Sequence, residues 1–63
     1  MNNAFVIEAA GEAAGLVVRE RRGFRFFASA PQFAALEQRL FRRSEDAARA
    51  ARALAANAAP VWR

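Results

Sequence analysis

The residue types that usually carry covalent or acid–base chemistry are scarce in this 63-residue chain: cysteine, histidine, lysine, tyrosine and threonine are all absent. A nucleophile or general acid needs a positioned group with a tuned pKa. The side-chain hydroxyls are those of Ser29 and Ser44, and both stand where helix caps belong. The acids Glu8, Glu12, Glu20, Glu37, Glu45 and Asp46 are scattered. Only Glu45 and Asp46 adjoin, and on a helix they would diverge rather than clamp a cation. Without cysteine or histidine the usual soft and borderline metal sites are ruled out. Gly11, Gly15 and Gly23 fit no phosphate-loop spacing. The expectation is a protein that is not an enzyme, with no catalytic residue, cofactor, metal or small-molecule substrate.

What remains is arginine beside aromatic rings. Arg19, Arg21, Arg22 and Arg25 interleave with Phe24, Phe26 and Phe27, and Arg39, Arg42 and Arg43 form a second basic cluster. A ring next to guanidinium groups can stack a base and hold its phosphates. The same residues also suit the wet side of a sheet, so the strand register decides what each could do.

The stretch from Val17 to Phe27 reads as a β-hairpin. Arg21-Arg22-Gly23 suits a three-residue loop that ends on a residue at positive φ, where only Gly23 escapes a Cβ penalty. That loop pairs Glu20 with Phe24, Val18 with Phe26 and Leu16 with Ala28. Upstream, Phe5, Ile7 and Ala9 alternate with Val6 and Glu8, the period of a half-buried strand. A Gly11-Glu12 turn would pair Ala9 with Ala14, Ile7 with Leu16 and Phe5 with Val18.

The two registers agree on an inner face of Phe5, Ile7, Leu16, Val18, Phe24 and Phe26. They leave Val6, Glu8, Val17, Arg19, Arg25 and Phe27 outside.

A sheet with one apolar face requires a cover, which the C-terminal half must supply. Ser29 and Pro31 mark the start of a short helix with Phe33 and Leu36 on one side. A single helix running on from there would keep Leu40, Ala47, Ala51 and Leu54 on one stripe, but Phe41 would leave that stripe. In a short extended segment Phe41 could anchor the core instead. Ser44 followed by Glu45 and Asp46 is a helix-start signal, so a break before Ser44 is expected. Asn57 and Pro60 end the main helix. Trp62 either folds back as a lid or forms a sticky terminus.

The expected fold is a single small α+β domain: a three-stranded antiparallel β-meander with strands at about 4–10, 13–21 and 24–29. It packs against a short helix at 31–37 and an Ala-rich helix at 45–56, with a tail at 57–63.

The string Gly23-Phe24-Arg25-Phe26-Phe27-Ala28, with Phe33, Leu36-Glu37, Phe41 and Ser44 ahead of Ala47-Ala48, resembles short alphaproteobacterial proteins. That resemblance spans most of the chain and implies no particular activity.

The formal charge is +4, compatible with nucleic acid or an acidic partner. No apolar run approaches the roughly 20 residues of a membrane span. The N-terminus lacks the basic start of a signal peptide, so cytoplasm is the expected location and no membrane partner is expected. A chain this small, with no disulfide or metal, tends to need a partner subunit.

The expected function is a non-catalytic protein-interaction module that self-associates through Val6, Val17 and Phe27, flanked by Arg19 and Arg25. The alternative is a nucleic-acid-binding domain on the same face, with phosphate contacts from Arg21, Arg22, Arg39, Arg42 and Arg43.

Overall fold

The computed structural model describes residues 3–57. The expected tail, Trp62 included, falls almost wholly outside them. Chain order and sheet order coincide: β1 (Ala4–Ala9), β2 (Glu12–Glu20), β3 (Gly23–Ala28) and the two-residue β4 (Leu40–Phe41) form one antiparallel sheet in that sequence. A 3-10 helix, Pro31–Leu36, links β3 to β4, and α1 (Ser44–Asn57) lies across one face. The α+β meander with its two covering helices is therefore as expected, with a fourth strand added.

The break before Ser44 is present, and Phe41 is buried on the short strand. Two backbone hydrogen bonds extend the β4 side beyond its two residues. Phe26 N–H donates to Arg39 O at 2.9 Å, and Gln38 N–H donates to Phe26 O at 2.7 Å. The second needs Gln38 at a φ of 65°, a conformation uncommon outside glycine.

Cap chemistry differs from the expectation at both serines. Ser29 Oγ donates to Ala13 O at 3.0 Å, so it ties β3 back to β2. The 3-10 helix starts after Ala30 with no side-chain cap. Arg43 O accepts from the N–H groups of Asp46 and Ala47, which places Ser44 one position inside α1.

The chief correction concerns β2. Observed pairs are Phe5 with Val17 and Val6 with Leu16 on one side, then Val17 with Phe26 and Leu16 with Phe27 on the other. β1 and β3 present the expected faces, but β2 is offset by one residue against both. A one-residue slip turns every side chain to the other face. Val17, fully buried, belongs to the core, while Leu16 is 37% exposed on the opposite side.

Both turns are displaced from the expectation, and only the second changes the phase of β2 by itself. The first is Ala10-Gly11, at φ of 56° and 80°, rather than Gly11-Glu12. In the second, Gly23 has the expected positive φ, 147°, but already pairs with Glu20. A bulge at Ala14, between the Ile7 and Glu8 pairings, resets the phase of β2.

Gly15 gives the packing reason. A Cβ there would stand 2.3 Å from Phe27 O and 2.9 Å from Phe26 Cζ. The bare backbone of β2 thus accepts the Phe26 ring directly. Around that ring the core gathers Ile7, Val17, Phe33, Leu36 and Phe41, and Ala47 and Ala51 bring α1 close to the sheet. Phe26 and Phe41 meet edge to face, with centroids 6.4 Å apart.

Gly15→Ala should cost about 2 kcal/mol or more by overpacking, lowering Tm by roughly 10 °C in a domain this small. Gly11→Ala, where a Cβ meets open space at φ +80°, should cost only about 1 kcal/mol in backbone strain. Thermal and urea unfolding of the two variants measures the difference.

Candidate interaction surfaces

The sheet face away from α1 is built by the outward residues of all four strands. Its central row runs Val6, Leu16, Phe27, and the next row runs Ala4, Val18, Arg25, Leu40. Val6 is 66% exposed and Leu16 and Leu40 37% each, with Phe27 and Val18 half-buried. The face is thus apolar over two adjacent rows. No element among the described residues covers it.

One charged group stands inside this apolar area, and it is already engaged. Arg25 Nε donates to both Glu20 carboxylate oxygens at 3.2 and 3.1 Å, and its Nη2 reaches Glu20 Oε1 at 3.0 Å. Arg25 Nη1 donates to Gln38 O at 2.9 Å. Three of the five guanidinium N–H donors are thus engaged within the chain. These hydrogen bonds hold the Glu20 carboxyl below the usual glutamate range and raise Arg25.

Of the five residues expected on this face, Val6, Arg25 and Phe27 are there. Val17 is not, because it is buried beneath α1. Arg19 is not either: it pairs with Phe24 on the helix side of the sheet. The same offset hid Leu16 and Val18, which take the outward positions on β2. Leu40 escaped notice because a two-residue strand has no periodicity to read.

The remaining arginines are all exposed among the described residues. Arg39 lies over the Phe41 ring, 5.2 Å from its centroid. Arg21 and Arg22 make the β2–β3 turn. Arg42 and Arg43, with Asp46 and Arg49, line an open cavity of about 660 Å³ where the chain passes from β4 to α1.

Among the described residues, no cluster of three or more histidine, cysteine, aspartate or glutamate side chains could hold a metal. No helix there is long and apolar enough to cross a membrane.

The architecture defines a small α+β protein with a helix on one sheet face and an uncovered apolar row on the other. Comparison with protein-family models, curated proteins and solved structures finds no match.

Because folding lowers the pKa of Glu20, its pair with Arg25 stabilises the fold above the usual glutamate range. That contribution disappears as pH falls through the lowered pKa. Glu20→Gln should therefore be less stable than the parent at pH 7, and the gap should close in acid. Urea midpoints measured from pH 7 down to pH 3 check this.

Proposed function

We propose that the protein is a non-catalytic interaction module that self-associates through the helix-free sheet face. The observation that carries this reading is the apolar row Val6, Leu16, Phe27, continued by Val18 and Leu40. Contiguous apolar surface of this kind marks interaction sites.

A second copy is the favoured occupant for two reasons. The charge at the patch is matched within the chain by the Arg25–Glu20 pair, so the face asks for no oppositely charged partner. The core on the other side is small, and four of its ten buried residues are alanine. A chain of this length gains from burying a second patch.

The size of the face sets the strength. Four strands about 4.8 Å apart and six residues at about 3.3 Å each outline roughly 400 Å² per copy. Stable complexes bury about 800 Å² per partner. The association is accordingly weak and concentration-dependent, with two sheets stacked about 10 Å apart.

Nucleic-acid binding on this face has less support. Arg19 is on the other side of the sheet, and Arg25 is held by Glu20 and Gln38 O.

Sedimentation equilibrium across a wide concentration range tests the proposal. The parent should show a monomer–dimer equilibrium, and Val6→Lys should remain monomeric with a monomer unfolding free energy within about 0.5 kcal/mol of the parent's. A parent that stays monomeric at millimolar concentration would remove the reading.

A further inference from the structure

The fold concentrates the protein's positive charge at one end, away from the apolar face. Gly23 makes this contact: a Cβ on it would lie 2.3 Å from Phe41 O and 3.5 Å from Arg42 Cα. The Arg21-Arg22 turn is therefore brought against Arg42-Arg43, twenty residues later in the chain. Arg19 flanks the turn, and Arg49 faces the same cavity as Arg42 and Arg43.

These six arginines, and Arg25 beside them, thus share this end with three acids. Glu20 is taken by Arg25. Glu45 reaches Arg43 at 3.9 Å with both side chains mostly in solvent, and the half-buried Asp46 reaches Arg49, itself mostly in solvent, at 3.4 Å, so both pairs are weak. Among the described residues, Arg19, Arg21, Arg22 and Arg42 have no acidic partner within ion-pair distance. Glu8 and Glu12 lie toward the opposite end of the sheet, beside the β1–β2 turn. The resulting excess at one end equals the chain's whole formal charge of +4.

We infer that this end binds the phosphate backbone of nucleic acid without reading sequence. Guanidinium forks match phosphate oxygens. Here they project from two separate segments, so they can meet successive phosphates along a strand. Asp46 in the cavity wall opposes a single compact anion but not a backbone passing over the rim. Arg21-Arg22 and Arg42-Arg43 carry no large apolar residue between them, and the exposed Phe5 and Leu40 belong to the adjoining strands, so the arginine segments themselves offer little apolar area to a bilayer. The surface is distinct from the sheet face proposed for self-association, and either proposal stands without the other.

The test is fluorescence anisotropy with a labelled 20-base-pair duplex DNA and a 20-nucleotide single-stranded RNA, from 50 to 200 mM salt. For about four phosphate contacts, duplex affinity should fall roughly 100-fold over that range. DNA and RNA should bind within about tenfold of each other.

Arg21→Gln with Arg22→Gln, and separately Arg42→Gln with Arg43→Gln, should each reduce the duplex salt slope by about 2. Arg52→Gln, farther along α1, should leave it unchanged. Circular dichroism confirms folding, and the two double variants lie on different segments, so each checks the other. No binding at 50 mM salt would overturn the inference, as would a slope that Arg52→Gln lowers equally. Binding to phosphatidylserine vesicles but to neither nucleic acid would overturn it too.

Discussion

The packing of Phe26 onto Gly15 is the constraint from which the rest of the molecule follows. A fully buried phenylalanine at the centre of a sheet needs room on the neighbouring strand, and β2 provides it by having no side chain at that point. Once the ring is there, Val17 must share its face, because it is the direct cross-strand partner of Phe26. Leu16 and Val18 must then point away. The identity of the outer surface is thus a by-product of how the inner one packs. The alanines of α1 complete the arrangement, since only small residues let the helix come close over a layer this thin.

This dependence explains which parts of the fold could be read from the residues alone. Ser44, Glu45 and Asp46 announced the helix, and Phe41 announced the break before it, because both signals are local. The faces of β1 and β3 were legible from simple alternation. β2 was not: its run Ala13-Ala14-Gly15-Leu16-Val17-Val18 carries apolar residues in both phases, so either assignment looks consistent. The bulge at Ala14 in the first hairpin and the displaced second turn shifted β2 the same way against both neighbours. Agreement between the hairpins was therefore no independent check. The bulge at Ala14 and the positive φ of Ala10 have no signature in residue type, and only the three-dimensional fit of Phe26 selects them. Of the candidate site, Val6, Arg25 and Phe27 could be found in advance, whereas Val17 and Arg19 changed sides with their strand.

The surface divides by chemistry. The uncovered sheet face is apolar, with its one guanidinium matched internally, while the unmatched guanidinium groups collect at the end where the second turn meets the start of α1. A sheet face and a sheet end point in different directions, so a partner on one does not obstruct the other. The separation depends on Gly23, whose missing side chain lets the β2–β3 turn and the residues after β4 lie together.

The strict neighbour order of the strands bears on how the chain assembles. Every sheet pairing is between consecutive strands, so few long loops must close and the search for the sheet is short. The three long strands precede Ser44–Asn57 in the chain and pair only with their neighbours, so the sheet can form ahead of its helix. The early sheet then has apolar side chains on both surfaces and only later receives its helix. Until the helix docks, such a sheet has the exposed apolar surface of an aggregation-prone intermediate. Alanine-rich α1 packs on the face that carries Gly15, so its arrival is what removes that exposure from one side of the sheet.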